Sequence, residues 1–98
     1  MKLYRAVNEA EFQDLNLTGK FREVSSSLEG KWFAETAEDA AQWGNALEGR
    51  ENYRIIEVNI PTQIAEKLFR IDWLDNIGPA LYAEIYQLGN ITFREFII

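Results

Sequence analysis

Neither cysteine nor histidine occurs among the 98 residues of this chain. Disulfide bonds, thiolate metal sites and histidine-ligated zinc are therefore excluded as supports for the fold, and we expect no metal site. The chain must rely on a hydrophobic core. Apolar residues make up 47% of the sequence and aromatic residues 13%, which supplies enough apolar area for such a core. A chain of this length is expected to form a single domain, residues 1–98.

The absence of cysteine and histidine also restricts which catalytic mechanisms are possible. Without cysteine or histidine there is no thiol nucleophile, no Ser-His-Asp triad and no imidazole base. Any catalysis must therefore rest on carboxylates, arginine, tyrosine, hydroxyls and backbone groups.

Net charge and hydropathy restrict the classes of partner that the protein is expected to bind. Sixteen acidic and ten basic residues give a net charge of −6, which is opposite in sign to most nucleic-acid-binding domains, so we expect no nucleic-acid partner. No apolar run approaches the roughly 18 residues of a membrane span. The opening MKLYRAV also has no apolar signal segment behind it. We expect no membrane association and a cytoplasmic site of action.

Apolar periodicity and capping signals predict an α+β fold. Asn8 with Glu11, and Thr36 with Asp39, have the spacing of helix N-caps with a capping box. Because strands and helices alternate without regular βαβ spacing, a mixed or antiparallel sheet is expected. The predicted strands are 2–7, 21–24, 31–35, 53–60, 82–88 and 91–98, and the predicted helices are 9–16, 37–48 and 62–68. A polar loop is predicted at 25–30 and an ordered loop at 69–81.

Three segments carry residues suited to binding or catalysis. The first, Leu3-Tyr4-Arg5-Ala6, places an arginine inside an apolar strand. Arg5 can lie on the solvent side of an edge strand. Alternatively, it can rise into a cleft, where its planar fork of donors suits phosphate or ribose.

The second segment runs from Gly30 through Trp32 and Phe33 into a helix that carries Trp43. These rings can simply fill the core. The functional alternative is that one or both indoles form a flat wall for a planar ring, a contact worth about 0.5–1.5 kcal/mol beyond area burial.

The third segment is Leu81-Tyr82-Ala83-Glu84-Ile85-Tyr86, a carboxylate between bulky neighbours. Glu84 can point to solvent from the polar face of a strand. If it lies in a cleft instead, it can stabilise a developing cation.

In this order the three segments resemble the motifs of the ADP-ribosyltransferase superfamily. The likeness is to the poly-ADP-ribose polymerase and diphtheria-toxin branch in GKWFAETAEDAAQW and YAEIYQLGNITFREFII. The whole chain also looks like the small ADP-ribosyltransferase domains of bacterial polymorphic toxins. The resemblance implies a split mixed or antiparallel sheet with a few short helices. It also implies NAD as substrate and transfer of ADP-ribose to a macromolecular acceptor or to water. As a toxin, the protein would have a cognate immunity protein as a possible partner.

The resemblance also assigns roles residue by residue. Glu84 matches the glutamate that bonds the nicotinamide ribose and stabilises the oxocarbenium-like state. Trp32 stands at the position of the stacking tyrosine, and Trp43 matches a second aromatic that closes the other side of the nicotinamide. Arg5 would hold the adenosine-side ribose or the phosphates, and the backbone of Ala6 falls where the family holds the carboxamide.

Two alternatives remain open at this point. The Arg-Trp-Glu combination mixes two branches of the superfamily, and a serine of the polymerase branch falls on Ala40. These departures favour a non-catalytic module that binds NAD or a protein. A small acidic immunity or antitoxin-like protein that binds a basic toxin fits the net charge as well.

Overall fold

The computed structural model describes residues 1–22 and 30–97. Both predicted caps are confirmed: the Asn8 side chain accepts a hydrogen bond from the Glu11 N–H at 2.8 Å, and Thr36 accepts from the Asp39 N–H at 3.1 Å. The described part contains β1 (Lys2–Val7), α1 (Glu9–Thr18), β2 (Gly30–Ala34), α2 (Ala37–Leu47), β3 (Arg54–Asn59), α3 (Thr62–Ala65), β4 (Phe69–Leu74), β5 (Gly78–Glu84), a 3₁₀ helix (Ile85–Leu88) and β6 (Thr92–Phe96).

The six strands form one open antiparallel sheet in the order β4-β5-β2-β1-β3-β6. The expected α+β class is confirmed, and of the two sheet types that were predicted, the antiparallel one is observed.

The junction between β1 and β2 is the weakest in the sheet. These two strands are in register at one position only, Tyr4 opposite Ala34, whereas β1 and β3 pair at six consecutive positions. The sheet is thereby divided into two three-stranded halves, β4-β5-β2 and β1-β3-β6, which meet at a short central contact.

Side chains alternate between the two faces of the sheet along each strand. We name each face by the helix that covers it. The α1 face carries Leu3, Phe33 and Ile56, and the α2 face carries Tyr4, Ala34 and Ile55. The α1 face holds the larger cluster of buried residues, to which α3 and the 3₁₀ helix also contribute: Leu3, Val7, Leu15, Phe21, Phe33, Ile56, Val58, Ile60, Ala65, Leu68, Leu81, Ala83 and Leu88. The smaller cluster on the α2 face is Ala34, Ala37, Ala40 and Ile55.

The prediction of an ordered loop at 69–81 is wrong. This segment is a β-hairpin in which Leu74 pairs with Gly78 and the Ile77 N–H donates to the Leu74 carbonyl at 3.0 Å. Its turn residues Asp75 and Asn76 adopt left-handed conformations with φ of 54° and 59°, which short polar side chains tolerate best. Edge strand β4 is largely exposed, yet its sequence alternates, with Phe69, Ile71 and Trp73 separated by Arg70 and Asp72. This period of two is a strand signal that the loop prediction did not use.

Two other predicted boundaries differ from the structure. The strand expected at 82–88 ends at Glu84 and continues as the 3₁₀ helix. Residues 21 and 22 lie outside any strand and Gly30 begins β2, while the remainder of the predicted strand 21–24 and loop 25–30 lies outside the described residues.

Candidate functional site

A cleft of about 290 Å³ opens on the α2 face, at the junction of the two halves of the sheet. We call it the aromatic cleft. It collects residues from β1, β2, α2 and the β4–β5 hairpin, and most of its wall is apolar. Its lining is Tyr4, Arg5, Ala6, Trp32, Phe33, Ala34, Ala40, Trp43, Gly44, Leu47, Glu48, Leu74, Asp75 and Ala80. Four of the five residues predicted from the sequence, namely Arg5, Ala6, Trp32 and Trp43, are therefore brought together here.

The two tryptophans reach the cleft from different elements. Trp32 projects from β2, where its ring packs against Tyr82 and Phe69 with centroid distances of 5.2 and 6.4 Å. Trp43 projects from α2, and its indole Nε1–H donates to Oδ2 of Asp75 at 3.0 Å. Trp32 is thus packed against two rings outside the cleft, and Trp43 is hydrogen-bonded to Asp75, which itself lines the cleft.

Close packing at two glycines brings α2 onto the sheet. A Cβ atom at Gly44 would lie 2.6 Å from the Tyr53 ring, and one at Gly78 would lie 2.4 Å from an Asp39 carboxylate oxygen. At Gly44 the added Cβ would clash with the Tyr53 ring, just before β3, whereas at Gly78 of β5 it would displace the end of the flexible Asp39 side chain. Gly44 is therefore the position at which a larger residue would push α2 away.

The backbone N–H and C=O groups of Ala6 face the gap between β1 and β2. Met1 and Ile60 exchange two hydrogen bonds of 2.8 Å, so the odd-numbered residues of β1 bond to β3. Because bonded and non-bonded pairs alternate in an antiparallel ladder, Tyr4 and Ala6 direct their N–H and C=O groups towards β2. Tyr4 finds its partner in Ala34, while Ala6 lies beyond that pair, where the cleft opens.

Arg5 lines the cleft but its guanidinium is engaged within the protein. Strand alternation places its side chain on the α1 face, where Nε and Nη2 donate to the two carboxylate oxygens of Glu11 at 2.7 and 3.0 Å. Nη1 donates to the backbone carbonyl of Trp32 at 3.0 Å. The side chain therefore ties α1 and β2 to β1 at the point where the two strands part.

Glu84 is not among the residues that line the cleft. It is the last residue of β5 and is exposed, and its backbone N–H donates to Oε1 of Gln87 at 2.9 Å. Tyr82 pairs with Trp32, so alternation places Glu84 on the same sheet face as the Trp32 ring, roughly 7 Å further along the strand. The carboxylate thus stands beyond the aromatic wall rather than within the cleft.

Two carboxylates that sequence reasoning did not single out do line the cleft, Asp75 and Glu48. Asp75 lies in the hairpin turn and Glu48 at the end of α2. Asp and Asn are among the residues that dominate the tight turns of hairpins, and recognising Asp75-Asn76 as such a turn would have placed Asp75 at a strand junction.

Two buried charged groups outside the cleft, Glu57 and Lys31, have partners. On the α2 face, burial raises the pKa of Glu57, but hydrogen bonds from Arg94 and Tyr4 lower it by more, so its pKa lies below the ordinary value. On the α1 face, burial lowers the pKa of Lys31, although Glu11, 3.9 Å away, opposes that shift.

In comparisons with known proteins, no family model matches this chain, and no curated protein or solved structure matches it significantly. Within residues 1–22 and 30–97, no three or more acidic, histidine or cysteine side chains are grouped so as to hold a metal ion. The described helices include none of the length and apolar character that a membrane crossing requires.

Proposed function

We propose that the aromatic cleft binds the nicotinamide end of NAD and that the protein cleaves the nicotinamide–ribose bond, as an ADP-ribosyltransferase or NAD glycohydrolase. The observation that carries the proposal is the convergence of Trp32, Trp43 and the Ala6 backbone on one cleft at the division in the sheet. Two indoles suit the faces of a planar ring. A backbone N–H and C=O on one residue suit the acceptor and donor of a primary carboxamide.

The division of the sheet supports the same proposal. The resemblance implied a split sheet, and a single registered pair between β1 and β2 is what such a split requires. A ring seated between the indoles would leave its ribose near the parted ends of β1 and β2.

Glu84 is the proposed catalytic carboxylate. Breaking the glycosidic bond passes through an oxocarbenium-like state, which a nearby negative charge stabilises. Glu84 stands on the Trp32 side of the sheet, and its distance of roughly 7 Å along β5 from the Tyr82–Trp32 pair is comparable to the length of one sugar. A ribose that extends from the cleft past Trp32 would approach this carboxylate.

The test is nicotinamide release from NAD by the purified protein. We expect Glu84→Gln, which keeps the shape and removes the charge, to lower the rate by about 10²-fold, the usual scale for a preorganised electrostatic contact. The matched control is Glu66→Gln, an exposed glutamate after α3 and outside the cleft, which should leave the rate unchanged. Unchanged turnover in Glu84→Gln would refute the assignment of this residue.

A second candidate is a non-catalytic cleft of the same architecture. It is favoured by Arg5, whose guanidinium is paired with Glu11 and bonded to the Trp32 carbonyl on the opposite face of the sheet rather than turned into the cleft. NAD binding measured by calorimetry, with no nicotinamide released, would select this candidate over the enzyme.

A further inference from the structure

The acidic and basic side chains that line the aromatic cleft differ in whether they have ion-pair partners. Asp75 and Glu48 both line it, and within the described part of the chain neither forms an ion pair with a lysine or arginine. The basic residue in the lining, Arg5, has its charge matched by Glu11 through two hydrogen bonds. The cleft therefore carries an excess of negative charge.

The aromatic side chains of the cleft also favour a positively charged ligand. An indole presents the negative side of its quadrupole from its ring face, and it attracts a cation held within about 6 Å of its centroid. Trp32 and Trp43 line the cleft from two different elements, and the Tyr4 ring adds a third aromatic group.

We propose that the aromatic cleft selects a planar ring that carries a positive charge, and that Asp75 sets this preference. The inference rests on the proposed function, in which the ring is the pyridinium of oxidised NAD. When the glycosidic bond breaks, its electron pair passes to the ring nitrogen, so the departing nicotinamide is neutral. The cleft thus holds the substrate ring more tightly than the product ring, and release of nicotinamide follows from its loss of charge.

Asp75, rather than Glu48, is the residue assigned to this role. Its Oδ2 accepts from the Nε1–H of Trp43 at 3.0 Å, which fixes the carboxylate beside one of the two rings. Glu48 at the end of α2 and Asp75 in the hairpin turn are both exposed, but within the described part of the chain only Asp75 is hydrogen-bonded to one of the two indoles. Asp75 therefore has the better position from which to act on a bound ring.

The variant Asp75→Asn removes the negative charge of the side chain and keeps its shape. Asparagine tolerates the left-handed conformation observed at this position, φ 54°, and its side-chain carbonyl still accepts from the Trp43 indole. The matched control is Asp72→Asn on the same hairpin, whose side chain is 90% exposed and lies outside the cleft.

The experiment compares two ligands of nearly the same shape, the 1-methylnicotinamide cation and neutral nicotinamide, by calorimetric titration. We expect the wild-type chain and Asp72→Asn to prefer the cation by about tenfold, the scale of a partly desolvated cation–π contact with a nearby carboxylate. In Asp75→Asn the preference should fall to about threefold or less. Equal affinity for the two ligands, no measurable binding of the cation, or an unchanged preference in Asp75→Asn would overturn the proposal.

Steady-state kinetics distinguish the proposed role of Asp75 in ring binding from a role in catalysis. An interaction with the ring cation is made in the ground state and weakens as the charge moves to the ribose, so Asp75→Asn should raise KM for NAD without lowering kcat. Glu84→Gln should instead lower kcat. A preserved cation preference in a chain that releases no nicotinamide would refute the proposed enzyme while leaving the ring selectivity intact, and a fall in kcat in Asp75→Asn would overturn the assignment of Asp75.

Discussion

At Gly44 a hydrogen atom occupies the only space left between α2 and the Tyr53 ring. Its backbone is helical, so the residue is required for close approach and not for an unusual conformation. Helix propensity alone would favour alanine by about 1 kcal/mol. The contact with Tyr53 opposes that preference, because an added Cβ would lie 2.6 to 2.7 Å from three ring atoms.

We expect Gly44→Ala to lower the melting temperature in spite of its higher helix propensity, by a destabilisation of about 1–3 kcal/mol, the usual cost of overpacking. Gln42→Ala, an exposed position of the same helix, should leave stability nearly unchanged. The double variant Gly44→Ala with Tyr53→Ala should show a favourable coupling in a double-mutant cycle, since the second change removes the clash. Additive losses would show that the close approach does not limit this position.

At the scale of the elements, the half-sheet β1-β3-β6 is held together by a buried carboxylate as well as by apolar contacts. On the α2 face, Glu57 of β3 accepts from Arg94 of β6 at 3.0 Å and from the Tyr4 hydroxyl of β1 at 3.1 Å. The same burial and hydrogen bond raise the pKa of Tyr4. One side chain therefore links all three strands of this half.

This arrangement predicts a dependence of stability on pH. The pKa of Glu57 is lowered in the folded state from 4.5, so its contribution is fully present above the unfolded value and is lost as pH falls through the lower, folded value. We expect unfolding free energies from urea titration to decline below about pH 4.5 in the wild type. Glu57→Gln should be less stable at pH 7 and decline less on acidification, with Glu66→Gln as the exposed control. A parallel decline in all three proteins would contradict this role for Glu57.

The caps of α1 and α2 were predictable because Asn8 and Thr36 act on residues only three positions away. The β4–β5 hairpin was missed although its edge strand alternates, with Phe69, Ile71 and Trp73 separated by polar residues. The apolar side chains of this strand are largely exposed, Phe69 by 60% and Trp73 by 62%, so burial does not accompany the alternation. The grouping of Trp32 with Trp43 followed from a resemblance between motifs. The position of Asp75 depends on how the hairpin packs against α2, which local sequence does not encode.

At the scale of the whole molecule, the two half-sheets are joined by little direct pairing, and other groups bridge them. Helix α2 contacts strands of both halves. On the opposite face, Arg5 links β1 to the Trp32 carbonyl of β2 and to Glu11 of α1. The cleft thus lies where the strands part, and these contacts connect the two halves on either face of the sheet.

Arg5→Lys should weaken this bridge, because one ammonium group cannot reproduce three donors in a planar fork. We expect a loss of about 1–3 kcal/mol in unfolding free energy, with faster hydrogen exchange at amides of β1 and β2 than at those of β3 and β6. Arg22→Lys makes the same change at the more exposed pair with Asp14 and should alter stability little. Equal effects of the two variants would show that Arg5 acts as an ordinary surface cation.

The distribution of the three tryptophans has a practical consequence. Trp32 and Trp43 line the cleft, whereas Trp73 is exposed on β4 and lies outside it. Intrinsic fluorescence of the unlabelled protein will therefore report directly on occupancy: a stacked ring quenches the emission of two indoles, while the third supplies a steady background signal.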